Sequence, residues 1–438
     1  AGVYPDVVTY VSILKACGLK GCLEIGEDID SNVRKKGLLE KDIMLGTAVV
    51  DMYCKCGVME KAQQVFNQLP TRGVMSWNSL IAGYIQNGLG NEALKCVEQM
   101  KDTRVEPDKV TYVYIMKACG IMRSIEIAED IHMKVRKQGL LDNDVILGNA
   151  LVDMYCKCGL LANALDVFDQ LPVQTIVSWN ALIAVYTHNG LCDKALKCFL
   201  QMRDAGVCPN TETYISILKA CGIMGSLEIG EDIDAEIRKQ GLLEKDIVLM
   251  NALVGMYSKC GVLEKAGEVF EQLPVRDVVS CNALIAGYGH LGQANVVLEY
   301  YNQMCSRDVV PNSVTFIVLL NACSHAGLVK EGERLFNEMC DIYYVTPTPE
   351  HYTCMIDLFG RAGCFDKMKP LLDKVPDSGY IPLLRSILAS CRKWRNVKLG
   401  RWAFKQTIEV DKNCGAAYVN MGNIYAAAGM QAEADRPD

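Results

Sequence analysis

Half of the 438 residues are hydrophobic and 22% are charged, with 36 Gly and 13 Pro, a composition that excludes collagen, low-complexity disorder and a charge-dominated tail. Lys and Arg total 45 against 52 Asp and Glu, so the net charge of −7 excludes a protein that coats nucleic acid by bulk electrostatics while leaving room for a local basic stripe. No apolar run approaches the roughly 18 residues a membrane helix needs, and no membrane partner is expected. The 21 cysteines are odd in number and never spaced C-x-x-C, which predicts free, mostly buried thiols in a reducing compartment.

The chain opens on AGVYPD, which matches AGVCPN at 205–210. Residues 1–6 therefore read as the tail of a repeat, and the chain is expected to be a fragment that lacks any targeting peptide. PDVVTYVSILKACG at 5–18 recurs as PDKVTYVYIMKACG at 107–120, PNTETYISILKACG at 209–222 and PNSVTFIVLLNACS at 311–324, a period of 102 residues. Inside each period lie GTAVVDMYCKCG at 46–57, GNALVDMYCKCG at 148–159 and MNALVGMYSKCG at 250–261, followed by SWNSLIAGYIQNG at 76–88, SWNALIAVYTHNG at 178–190 and SCNALIAGYGHLG at 280–292. Starts at Val7, Ile43 and Val74 divide the period into repeats of 36, 31 and 35 residues.

Each repeat reads as two antiparallel helices. In the 31-residue repeat, Val49, Met52 and Tyr53 form one apolar stripe, Gly57 ends that helix, and Ala62, Val65, Phe66 and Leu69 form the second stripe before Pro70. A helix pair of this size cannot bury its own apolar face, so the pairs must stack. The expected fold is an all-α, right-handed superhelical solenoid of antiparallel helix pairs.

With LKAC, NALVDMYCKCG, SWNALI and the Pro-Asp or Pro-Asn repeat ends on the page, the chain resembles pentatricopeptide repeat (PPR) proteins of the land-plant PLS subclass over essentially its whole length. The resemblance implies three long-short-standard triplets at 7–108, 109–210 and 211–312, a final long and short repeat at 313–380 and extension motifs at 381–438, the second incomplete. Leu384 stands where the family usually has Trp, and Tyr380 where it usually has an acidic or amide residue.

In such proteins the fifth residue and the closing residue of a repeat read one base of single-stranded RNA, and Thr, Asn and Asp have the size and the donors or acceptors for a base edge. Among the side chains expected to be exposed on the concave surface, the pairs are Thr47 with Gly73, Asn78 with Asp108, Asn149 with Thr175, Asn180 with Asn210, Asn251 with Asp277 and Asn282 with Asn312. Capping is the competing explanation for any one position, but five Asn at six equivalent places exceed what a cap demands. Carried over pair by pair, the code implies the site N-R-U-N-Y-Y-N-U-Y-N-N, counted from the repeat at 7–42, with Thr353 and Tyr380 of the last short repeat left open. The long repeats carry Val11, Val113, Ile215 and Ile317 at position five, which cannot hydrogen-bond a base edge and are expected to be spacers.

Two further columns accompany these pairs. Lys55, Lys157, Lys259 and Arg361 occupy position thirteen of the short repeats, where phosphate contact competes with simple helix capping. Position two holds Val8, Met44, Met75, Val110, Ile146, Val177, Val248, Val279 and Val314, with Glu212 the exception. In the family such flat apolar groups clamp bases; core packing explains them equally well.

No catalytic residue, metal site or cofactor is expected. None of His132, His188, His290, His325 and His351 is followed by x-Glu, so the zinc deaminase pattern H-x-E with C-x-x-C is missing. The Cys54/Cys56 and Cys156/Cys158 pairs become Ser258 and Cys260 in the third round, as packing residues can and metal ligands cannot.

The resemblance implies a monomeric site-recognition factor for C-to-U RNA editing in a mitochondrion or chloroplast, with editing proteins or a deaminase acting in trans. Alternatives are an organellar RNA stability, splicing or translation factor and a tetratricopeptide-like protein scaffold; the repeat lengths of 36, 31 and 35 speak against a uniform 34-residue period.

Overall fold

The computed structural model describes residues 5–39, 41–141, 144–243, 246–372, 374, 380–411 and 414–434; among them every regular element is a helix. The chain forms two compact halves, residues 1–217 and 218–438. The first contains α1 (Val7–Lys20), α2 (Leu23–Lys35), α3 (Ile43–Lys55), α4 (Met59–Gln68), α5 (Val74–Gln86), α6 (Gly90–Asp102), α7 (Lys109–Met122), α8 (Ile125–Lys137), α9 (Val145–Lys157), α10 (Leu161–Asp169), α11 (Ile176–His188) and α12 (Cys192–Asp204). The division falls inside α13 (Thr211–Met224). The second half continues with α14 (Leu227–Lys239), α15 (Ile247–Lys259), α16 (Leu263–Glu271), α17 (Val278–His290), α18 (Ala294–Ser306), α19 (Ser313–Ala326), α20 (Val329–Asp341), α21 (Pro349–Ala362), α22 (Phe365–Leu372), α23 (Tyr380–Trp394), α24 (Val397–Val410), α25 (Gly415–Ala427) and the short α26 (Gln431–Ala434).

The first helices start where a capping side chain meets the apolar run. Asp6, Asp42, Asp108, Asp246, Asp277 and Asn312 each accept a hydrogen bond from the backbone N–H three residues on. The first helices of the short repeats give way to Gly57, Gly159 and Gly261 at φ +78°, +78° and +79°, a left-handed turn that glycine enters without strain.

Within the first half, α3 packs against α1, α4 and α5, and α9 packs against α7, α10 and α11. In the second half the series α15, α17, α19, α21, α23 and α25 repeats the pattern, each first helix against its own second helix or its neighbours in the row. First helices thus form an inner row between pairs, and second helices lean on the first helix of the next pair, as α4 does on α5 and α16 on α17. Each half is a solenoidal stack of antiparallel helix pairs.

Large side chains close the seams. Phe66 of α4 meets Trp77 of α5 edge-on at 4.6 Å between ring centres, and Phe168 meets Trp179 at 4.7 Å. In the third round Cys281 replaces the Trp, and Phe270 turns to Tyr300 at 6.2 Å. Leu384, the family's Trp position, is fully buried in α23.

A second set of contacts joins the long and short repeats through polar groups. The Tyr53 hydroxyl donates to Asp30 at 3.0 Å while Arg34 pairs with the other carboxylate oxygen at 2.8 Å, and Tyr257, Asp234 and Arg238 repeat the arrangement. His132 replaces the acid in the middle round, its Nδ1 2.7 Å from the Tyr155 hydroxyl.

His351 is fully buried at the head of α21. Its Nδ1 lies 3.1 Å from the Thr348 N–H, so it accepts there, and its Nε2 then donates to the Ser313 carbonyl of the preceding repeat at 3.0 Å. Burial lowers its pKa against the opposing pull of the Ser313 carbonyl and Glu350, and burial then Arg136 lower that of His132. A histidine held neutral stabilises the fold above its unfolded pKa of about 6.5 and loses that contribution as pH falls below it, because the unfolded chain takes up the proton first. Chain stability measured by urea unfolding should therefore decline between pH 6.5 and 5 by up to about 1.4 kcal/mol per pH unit for each histidine. His351→Asn should flatten that slope, and an unchanged slope would exclude His351 as its source.

Candidate nucleic-acid interface

Within each half, the structure brings the fifth residue of a repeat to the closing residue of the same repeat, which is also the N-cap of the next. In the first half, Asn78 donates through Nδ2 to Asp108 Oδ1 at 3.1 Å, Asn149 to Thr175 Oγ1 at 2.9 Å, and Asn180 to Asn210 Oδ1 at 3.1 Å. In the second half, Asn251 donates to both carboxylate oxygens of Asp277 at 3.1 Å, and Asn282 to Asn312 Oδ1 at 3.2 Å. Thr47 and Gly73 make no such pair: the Thr47 hydroxyl turns back to the Ile43 carbonyl at 2.8 Å, and Gly73 has no side chain to offer.

Capping and pairing thus coincide rather than compete. Asp108, Asn210, Asp277 and Asn312 each cap a helix and each accept from the preceding fifth-position amide. Burial works against the Asp108 carboxylate, yet the hydrogen bonds from the Thr111 N–H, Asn78 and the Thr111 hydroxyl outweigh it and hold the pKa below the usual range. Asn78, Asn180, Asn251 and Asn282 are not exposed; they are 9%, 5%, 8% and 8% accessible, held down by these bonds, while Asp108, Asn210 and Asn312 stand exposed beside them.

The third residue of the next helix completes each cluster and was missed in the sequence, although its signal is the Asp/Asn-x-x-Thr/Ser spacing of a capping box. Thr111 and Thr213 donate to the Oδ1 of Asn78 and Asn180, both at 2.7 Å. Ser178 and Ser280 instead donate to the carbonyls of Thr175 and Asp277. Thr315 donates to Asn312 Oδ1 at 3.1 Å rather than to Asn282, and the Oδ1 atoms of Asn149, Asn251 and Asn282 are buried with no partner among the described residues.

The position-two side chains are not core. Val8, Met44, Met75, Val110, Ile146, Val177, Val248, Val279 and Val314 are 48% to 73% exposed, each one residue into its helix and three before the fifth-position side chain. Glu212 is exposed as well, and its Oε2 accepts from Asn180 Nδ2 at 3.1 Å. Val11, Val113, Ile215 and Ile317 are half-buried.

The position-thirteen cations have two local roles. The stems of Lys55, Lys157 and Lys259 lie against Gly18, Gly120 and Gly222 of the preceding long repeat, where an added Cβ would fall 3.1, 2.9 and 3.2 Å from the lysine Cδ. Their head groups differ. Lys55, Lys157 and Arg361 pair with Asp51, Asp153 and Asp357 one turn back at 2.7, 2.6 and 2.7 Å, whereas Gly255 occupies that place before Lys259. Thr353 donates to the Pro349 carbonyl, and the side chain of Tyr380 lies outside the described residues.

All 21 cysteines are free thiols. Burial pushes Cys54 and Cys156 up to about 12, so both are protonated thiols in the packed interior. Among the described residues no cluster of His, Cys, Asp and Glu could hold a metal ion, and no helix is long and apolar enough to cross a membrane.

Comparison with known proteins bears on this arrangement. A model described as PPR repeat family matches residues 72–120, 174–222 and 276–325, and one described as PPR repeat matches 47–74, 149–173, 248–278, 314–342 and 350–380. The chain belongs to the pentatricopeptide repeat family. Among its relatives in Arabidopsis thaliana are a mitochondrial PPR-containing protein, 34% identical over 428 residues, a second, 36% identical over 457, and a chloroplastic one, 34% identical over 426. The matches cover 97%, 96% and 97% of this chain and 68%, 65% and 52% of those relatives. The PPR protein PPR10, solved in complex with an 18-nucleotide psaJ RNA element, shares the fold at a TM-score of 0.63 and 17% identity, over 99% of this chain and 73% of PPR10.

The double role of the closing residue makes a stability prediction. Asp277→Ala removes a cap, worth about 1 kcal/mol, and strands the buried Asn251 amide, worth about 1–2 kcal/mol more. Asp277→Asn should cost less than about 1 kcal/mol, because Asn210 and Asn312 perform both tasks at the equivalent places. Urea unfolding of the two variants distinguishes them; equal losses would contradict the shared-cap arrangement.

Proposed function

We propose that this chain binds single-stranded RNA with sequence selectivity, one base per helix pair, and that it serves as the site-recognition factor in organellar C-to-U RNA editing. The observation that carries the RNA reading is the fifth-position amide hydrogen-bonded to the closing residue beneath a row of exposed apolar side chains. A flat base can lie between successive position-two groups while its edge meets the Asn and closing side chains. The unpartnered Oδ1 of Asn149, Asn251 and Asn282 supports this, since each is an acceptor with no protein donor to give up when the side chain turns outward to a base N–H. We read the repeats as PLS triplets at 7–108, 109–210 and 211–312, followed by 313–380 and the extension motifs, which matches editing factors in the family; the deamination chemistry then belongs to a domain or protein outside this sequence. We place the protein in a mitochondrion or chloroplast, the organelles named for two of its relatives.

Two expected outcomes test the reading. The Asn251→Ala/Asp277→Ala double variant should relax the preference for uracil at the eighth base and cost about 1–3 kcal/mol of binding, measured by titration of RNAs differing only there. An undiminished preference would refute the assignment of this pair. Lys259→Ala should weaken all RNAs alike and lower the salt slope by about 1, and more than Lys157→Ala, whose head group Asp153 already neutralises. Equal salt slopes in wild type and K259A would remove the phosphate role.

A further inference from the structure

We propose that Glu212 is a specificity-determining residue that makes the repeat at 176–210 select cytosine over uracil at the sixth base. This inference rests on the one-base-per-repeat reading above. It starts from a break in a column: in the ten repeats between residues 7 and 348, nine position-two residues are exposed aliphatic or Met side chains and a carboxylate stands at the tenth, while Glu350 at position two of the last short repeat is the other carboxylate.

The carboxylate is engaged with the neighbouring reader. Asn180 Nδ2 donates to Asn210 Oδ1 and to Glu212 Oε2, both at 3.1 Å, and Asn180 Oδ1 accepts from the Thr213 hydroxyl at 2.7 Å. An Asn amide has two N–H donors and one carbonyl, so this one has both ends occupied. Asn78, its equivalent one round earlier, faces Val110, which offers no acceptor, and Asn251 and Asn282 keep an unpartnered Oδ1. The Asn180 amide is therefore the one least able to turn toward a base without giving up a partner.

Glu212 itself is exposed beside it. A carboxylate has about four acceptor sites, and the bond from Asn180 uses one. It can accept from the exocyclic amine of cytosine, as acidic side chains do when they read that group. Uracil presents a carbonyl oxygen at the same corner, and two acceptors facing each other repel. The Asn180 and Asn210 pair alone leaves cytosine and uracil open; the added carboxylate decides between them.

The test is binding of the whole chain to RNAs carrying C or U at the sixth base, and separately C or U at the eighth, for wild type, Glu212→Val and Glu212→Gln. Valine restores the column residue, and glutamine keeps the size while offering both an acceptor for cytosine and a donor for uracil. Wild type should favour C at the sixth base by about tenfold, and both variants should bring the ratio to within about twofold. The preference for uracil at the eighth base, opposite Asn251 and Asp277, should be the same in all three proteins. If the variants keep the sixth-base ratio, or wild type favours U there, while the eighth base still discriminates, Glu212 is not the determinant. If neither base discriminates in any protein, the one-base-per-repeat reading fails and this inference with it.

Discussion

A capping side chain at the head of a helix has one lone-pair direction committed to the backbone N–H three residues on, and in this chain it commits another to the repeat before it. Asp108, Asn210, Asp277 and Asn312 each take a hydrogen bond from the preceding fifth-position Asn while ending their own helix's exposed N–H groups. The same four atoms therefore set where a helix begins, how it meets its neighbour and which polar groups lie along that edge. Capping alone tolerates Ser, Thr, Asp or Asn; it is the reach from the previous repeat that narrows the choice at position five to a short amide.

The fold was legible because a helix pair that cannot bury its own stripe has to repeat, and the 102-residue period exposes the repetition directly. The repeated Asp-x-x-Thr heads and the Gly after KC in the short repeats mark the starts and stops. The polar seam of Asp30, Tyr53 and Arg34 was not seen, since its members lie in different repeats and His132 interrupts the pattern. Only aligning Asp30, His132 and Asp234 in register with Tyr53, Tyr155 and Tyr257 could have revealed it.

At the candidate interface the sequence supplied the columns but not their depth. Periodicity could not decide whether Val8, Met44 or Ile146 faced the core, because one residue into a helix either face is open to an apolar group; the structure leaves them exposed. It could not tell that Asn78 and Asn251 are drawn below the surface by the next cap, a contact across 30 and 26 residues. The pairing of Lys157 with Asp153 was visible as an i,i+4 spacing and lowers the charge available to phosphate.

The proposed RNA reading rests on an edge with exposed apolar groups outermost, amides just beneath and cations at the far ends of the short repeats' first helices. The most direct test is binding of this chain, at fixed near-physiological salt, to an RNA carrying N-R-U-N-Y-Y-N-U-Y-N-N and to a shuffled RNA of equal composition. A preference of about tenfold or more for the ordered site is the expected result, in line with several bases each contributing about 1–3 kcal/mol when matched. Equal binding to both would contradict base reading by these pairs, and no binding to either would return the chain to the class of protein scaffolds.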